Sequence, residues 1–162
     1  VAKIAAKKAL KIKSHQLGID LIYVLHSHVM APDDDKDSFL QVTLQKLING
    51  DELVFSTGEQ LFDVVSAKDC AIGYFLICEK GISGSDYWVG SGKPRRLREY
   101  VERMYELYPS GKEMQFGKFP YNDIKLSVDD FSIANLVEDT GYAPSSTYEE
   151  IVKELYVSLI SK

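Results

Sequence analysis

His26 and His28 stand two residues apart, just ahead of Asp33-Asp34-Asp35. In an extended segment that spacing puts both imidazoles on one face. Imidazole and carboxylate both ligate divalent cations, so a small metal hydrolase is one reading of the cluster. The chain has one further histidine, His15, and its cysteines fall elsewhere, whereas a structural metal site normally needs four good ligands. The edge of a polar pocket is the competing reading. Lys3, Lys7 and Lys11 recur every fourth residue. Like charges at that spacing repel on a helix, so the stripe reads as a solvated face. A lysine at the inner end of such a helix can also orient a ribose and lower a neighbouring hydroxyl's pKa. Arg95, Arg96 and Arg98 read as the start of a helix, where the macrodipole disfavours cations; anion capture is weighed there against a solvated surface. Tyr87 and Trp88 could touch a base or sugar ring, with core packing as the alternative. Gly90-Ser91-Gly92-Lys93 is not a Walker loop, because Tyr87 replaces its first glycine and Pro94 its Ser/Thr. No G-x-G-x-x-G occurs, so the turn reads as a strand-to-helix connection, and the chain offers no glycine-rich loop for a dinucleotide pyrophosphate.

The elements that must position these groups follow from periodicity. Val1 to Leu17 reads as a helix with Ala2, Ala5, Ala6, Ala9, Ile12 and Leu17 along one side. It begins without an initiator Met or an N-cap residue, as a fragment would. After Gly18, Ile19 to Leu25 is an apolar run expected to form a strand buried on both faces. Ser38 to Gln41 has capping-box spacing, and the helix it opens ends at Asn49-Gly50. Strands are expected at Leu53–Phe55, Leu61–Val65, Asp86–Val89, Met114–Phe116 and Ile124–Val128. Lys68 to Lys80 is apolar nearly all round and is expected to be a buried helix. Helices are also expected at Arg96–Tyr108, stopped by Pro109, at Phe131–Val137, and after the capping box Thr147 to Glu150. Alternating helices and buried strands indicate an α/β fold.

The 162 residues suit a single unit with its own core, and no linker, repeat or low-complexity tract interrupts residues 1–162. The 24 acidic and 19 basic residues give a net charge of −5, which argues against general nucleic-acid binding. No apolar run is long enough for a membrane span and no signal-peptide pattern opens the chain. Cys70 and Cys78 fall in one helix roughly 12 Å apart, too far to bridge. Both are expected to be buried free thiols, consistent with a reducing, cytoplasmic setting.

In order along the chain, several segments resemble the C-terminal half of the NAD-dependent epimerase/dehydratase family, the extended short-chain dehydrogenase/reductases that act on nucleotide sugars. Ala2-Lys3-Ile4-Ala5-Ala6-Lys7-Lys8 resembles the stretch around the lysine of the family's Y-x-x-x-K motif. Leu25 to Pro32 is similar to its R-x-x-N-x-Y-G-P strand end, and Thr57 to Val65 to its G-E-Q-x-W/R-D-F-x-x-V segment. Lys68-Asp69-Cys70-Ala71 resembles its D-D-x-A helix start. Gly90 to Tyr100 resembles G-S-G-K-x-R-x-L-x-E-Y, and Gly141-Tyr142-Ala143-Pro144 the closing G-[FYW]-x-P. The family's Arg stands here as Leu25, its Asn as His28 and its Tyr-Gly as Met30-Ala31. A diphosphate-gripping Arg falls at Phe62, and a later basic position near Asn122.

The resemblance implies the C-terminal part of a Rossmann-like fold with the smaller substrate-binding α/β lobe, the dinucleotide-binding half being absent. It implies a nucleotide-sugar substrate, NAD or NADP as cofactor of the parent protein, and commonly a homodimer. In such enzymes a tyrosine exchanges a proton with a sugar hydroxyl while NAD(P) moves a hydride. By the same resemblance Lys3 is the catalytic lysine, lowering that tyrosine's pKa and holding the nicotinamide ribose. Ser27 would lie near the cofactor, His28 near the sugar, and Phe62 and Arg96 on the nucleotide side. No cofactor is expected to bind this chain alone. Leu25, Met30 and Phe62, where polar groups are expected, keep open a non-catalytic binding or assembly module on the same scaffold.

Overall fold

The computed structural model describes residues 2–32, 38–120 and 125–161. Asp33-Asp34-Asp35, Asn122 and the first residue of the strand expected at 124–128 lie outside them. Helix α1 (Ala2–Leu17) leads into strand β1 (Tyr23–His26), which pairs in parallel with β6 (Asp86–Val89), Tyr23 opposite Asp86 and His26 opposite Val89. Past Ser27 the chain changes sheet. Strand β2 (His28–Met30) pairs in parallel with β5 (Val64–Ser66). Helix α2 (Phe39–Asn49) is capped by Ser38, whose hydroxyl accepts the Gln41 N–H, and Gly50 ends it in the left-handed region. Strand β3 (Leu53–Val54) pairs in parallel with β8 (Met114–Gln115). Strand β4 (Leu61–Phe62) pairs antiparallel with β7 (Arg95–Arg96). Helices α3 (Ala67–Lys80), α4 (Leu97–Leu107), α5 (Ala134–Thr140) and α6 (Tyr148–Ile160) complete the mixed α/β fold.

Two cores sit side by side. One gathers the apolar stripes of α2, α4 and α6 around Leu40, Leu44, Val101, Met104, Val152 and Leu155. The other lies under β1–β6, where Cys70 and Ile77 of α3, Leu136 of α5 and Tyr142 just beyond α5 pack with Tyr87 and Val89. Gly73 makes the α3 approach possible, because a Cβ there would come within 2.8 Å of Val89 Cγ1.

Several expectations are corrected. The apolar run Ile19 to Leu25 is not buried on both faces: Ile19 is 58% and Leu25 48% exposed, and β1 pairs with β6 alone among the described residues. Helix α3 is not buried all round, since Ile72 and Phe75 face outward while Asp69, Cys70, Gly73 and Ile77 face in. Cys70 is buried but Cys78 is exposed; both are free thiols. Lys125–Ser127 form no strand, and a 3₁₀ turn follows at Val128–Phe131, so the next helix starts at Ala134. Arg95 and Arg96 belong to a strand; Arg96 is the N-cap of α4 and makes no side-chain cap bond. No helix among the described residues is long and apolar enough to cross a membrane.

Candidate functional site

The strand ends converge on Asp63, which is 2% exposed. It lies between β4 and β5, and its carbonyl accepts the His28 N–H at 3.0 Å. Its carboxylate accepts the Ser27 hydroxyl, the Ser91 hydroxyl and, at 3.0 Å, the Ser91 N–H. Trp88 Nε1 donates to Ser27 Oγ at 3.0 Å, and the Ser27 N–H to the Val89 carbonyl at 2.8 Å. Gly90 leaves the room for this: a Cβ there would collide with Ser27 Oγ and Asp63 Oδ2. The Tyr142 hydroxyl closes the turn from behind, donating to the Gly90 carbonyl at 3.2 Å. The ends of β1, β4 and β6 thus form one rim fixed by a buried carboxylate and its donors.

His28 stands on that rim with its ring centroid 5.2 Å from that of Phe62. Phe62 meets Tyr100 edge-on at 6.2 Å, and the Arg95 guanidinium lies 5.8 Å from the Tyr100 ring centroid. In the antiparallel β4–β7 pair, Phe62 faces Arg95 and Leu61 faces Arg96. Opposed residues share a sheet face. The structure therefore brings Ser27, His28 and Phe62 together and turns Arg96 to the other face, where it pairs with Glu59 at 3.4 Å.

Lys3 is exposed on the first turn of α1. The helix runs back along β1: Lys7 lies 4.3 Å from the Tyr23 ring centroid and 2.7 Å from Asp86, while Lys11 and Ser14 border a cavity with Leu21 and Gly84. No contact ties Lys3 to the strand ends among the described residues. Lys7 and Lys11 form ion pairs with Asp86, so the lysine stripe is not wholly solvated.

A second lock, absent from the sequence reading, sits at the start of α3. Asp69 accepts from Ser66 Oγ, Ser145 N and Oγ, and Ser146 N at 2.9–3.1 Å, fixing the loop before α6. Burial would raise its carboxyl, but the donors from Ser146, Ser145 and Ser66 outweigh it and lower the pKa to about 2. Burial pushes the phenols of Tyr100, Tyr142 and Tyr148 above their ordinary value, and nearby acidic groups push them further.

The Gly90-Ser91-Gly92 turn does not fit a dinucleotide pyrophosphate. Its Ser91 N–H is spent on Asp63 and the Lys93 N–H on Ser91 Oγ. Among the described residues no three His, Cys, Asp or Glu gather as a metal cluster. Tyr87 is core, donating to Asp139 at 2.6 Å.

The sequence profile of the NAD dependent epimerase/dehydratase family matches residues 1–90 of the 162. The chain belongs to that family. No curated protein matches it in sequence. Its fold is shared by a UDP-glucose 4-epimerase from Thermotoga maritima solved with UDP-glucose (19% identity, TM-score 0.84, 99% of this chain and 52% of that one). It is shared by a dTDP-glucose 4,6-dehydratase from Bacillus anthracis in complex with NAD (16%, 0.82, 97% and 50%). A UDP-N-acetylglucosamine 4-epimerase from Methanobrevibacter ruminantium, in complex with UDP-N-acetylmuramic acid, is alike to the same degree (21%, 0.81, 98% and 52%). The fold is thus that of the Rossmann-like extended short-chain dehydrogenase/reductases, and the chain spans about half the length of these structures.

Proposed function

We propose that this chain is the substrate-binding portion of an NAD(P)-dependent nucleotide-sugar epimerase, dehydratase or reductase that works in the cytoplasm, the cofactor being held mainly by an upstream half. The observation that carries this reading is the rim of Ser27, His28 and Phe62, fixed by Asp63 at the strand ends of a member of this family. In open α/β sheets ligands bind at that end. His28 and Phe62 offer a polar and an aromatic wall to the sugar nucleotide. Ser27 faces the cofactor side. The Lys3 ammonium remains for a cofactor ribose and for a tyrosine supplied from upstream. In this reading the pyrophosphate cradle, like the tyrosine, is supplied from upstream. The test is calorimetry of the parent protein with UDP-, GDP-, CDP- and dTDP-sugars, in which at least one titration gives saturable heat.

A second reading, a non-catalytic binding or assembly module, draws on the half-exposed Leu25 and on Phe62 where polar groups are expected. No heat from any sugar nucleotide, with the upstream tyrosine intact, decides for it. Met30 no longer favours it, being 4% exposed in the core.

A further inference from the structure

Arg95, Arg96 and Arg98 lie close in sequence but end in different surroundings. Arg96 pairs with Glu59 at 3.4 Å and Arg98 with Glu102 at 2.8 Å. Arg95 is half-buried, and its guanidinium meets the Tyr100 ring but no carboxylate among the described residues. The exposed Lys93 ammonium has no carboxylate partner among them either. Both cations line a cavity of about 160 Å³ that also touches the loop before α6. The carboxylate on its lining, Glu149, is held by Arg103 at 2.9 Å. A cation drawn partly out of water without a counter-charge is unfavourable, and an anion in the cavity relieves it.

Tyr100 points the same way independently. It lines the cavity and is 2% exposed. The Arg95 N–H is directed at its phenol oxygen, but the phenol proton meets no acceptor among the described residues. Buried polar groups are rarely left so. The hydroxyls of Ser91 and Ser145 on the same lining already donate to Asp63 and Asp69. A ligand is therefore met by three donors: a planar guanidinium, an ammonium and a phenol.

We propose that Lys93, Arg95 and Tyr100 bind a small tetrahedral oxyanion of the size and charge of inorganic phosphate. Small-molecule sites start at about 300 Å³, so a cavity of about 160 Å³ does not hold a whole sugar nucleotide. None of Ser27, His28 and Phe62 lines it, so the site is separate from the rim and stands or falls apart from the nucleotide-sugar reading. Occupied, it ties β7 to the loop that Asp69 holds before α6.

The test is a titration of the chain with inorganic phosphate at neutral pH and fixed ionic strength, followed by backbone amide resonances and by thermal unfolding. Wild type is compared with Arg95→Gln, Lys93→Gln, Tyr100→Phe and Arg98→Gln. Saturable shifts are expected at Ser91, Lys93, Arg95 and Ser145 to Thr147, with a higher unfolding temperature at saturation. Arg95→Gln weakens phosphate by about tenfold or more and Tyr100→Phe by about fivefold, since each removes a donor to a charged oxygen. Lys93→Gln weakens it by about threefold from an exposed position that does not carry the fold, so a misfolded Arg95→Gln still leaves a reading. Arg98→Gln removes the same charge from a cation that Glu102 already holds, and it binds phosphate as wild type does. No saturable shift in wild type, shifts gathered away from this cavity, or equal weakening in Arg95→Gln and Arg98→Gln overturns the proposal.

Discussion

Asp63 joins segments that are 36 and 28 residues away in the chain, so its loss is felt at three strand ends together. Asp63→Asn keeps the shape but turns one acceptor into a donor facing the Ser91 N–H. A hydrogen bond to a buried charge contributes about 1.5–3 kcal/mol, and chemical denaturation is expected to show a loss of that order. Gly90→Ala strikes the same lock sterically and costs about 2 kcal/mol, a fall of roughly 4–8 °C in Tm by calorimetry. Asp69 sets an acid limit. Its folded pKa, about 2, lies below its ordinary 3.8. Its contribution of about 2 kcal/mol is therefore complete above about pH 4 and is lost as the pH falls toward 2. In Asp69→Asn that part of the acid slope is expected to vanish from a pH series of denaturation curves. Ser27, His28 and Phe62 could be picked out through the segments that resemble a family. The duties of Asp63, Ser91 and Asp69 could not, because each is defined by a partner far along the chain.

Helices α4 and α6 could be read from sequence because one stripe of each meets a core and the rest meets water. The Thr147 capping box forms as expected, with the Thr147 hydroxyl accepting the Glu150 N–H and the Glu150 carboxylate accepting back. Thr147→Ala should cost about 1 kcal/mol by chemical denaturation, since it leaves a helix N-terminus uncapped. Helix α3 misled because its inward face is chosen by the small Gly73 and the hydrogen-bonded Asp69, while the bulkier Ile72 and Phe75 point out. The β1 run misled for a related reason: hydrophobicity reports that a strand is to be covered, and not which of its faces and edges are covered within this chain. Helix α1 has no buried residue and is held by Lys7 and Lys11 on Asp86. Exposed ion pairs contribute about 0.2–1 kcal/mol each. Hydrogen exchange in α1 is therefore expected to be the fastest of the six helices, and faster again in Asp86→Ala or at high salt.

The whole molecule carries Ile4, Leu10, Ile12 and Leu17 on α1, and Phe75 on α3, each more than half exposed to solvent. Saturating NAD(P)(H) should leave the Tm of this chain unmoved, whereas binding at about 100 Kd would add roughly 2.7 kcal/mol of stability. The most direct measurement is a map of backbone amide resonances as the chain is titrated with UDP-, GDP- and dTDP-sugars. Saturable shifts gathered at Ser27–His28, Gln60–Phe62 and Ser91 are the predicted result. Absence of any saturable shift, or shifts gathered away from the strand ends, would contradict a sugar-nucleotide pocket in this chain.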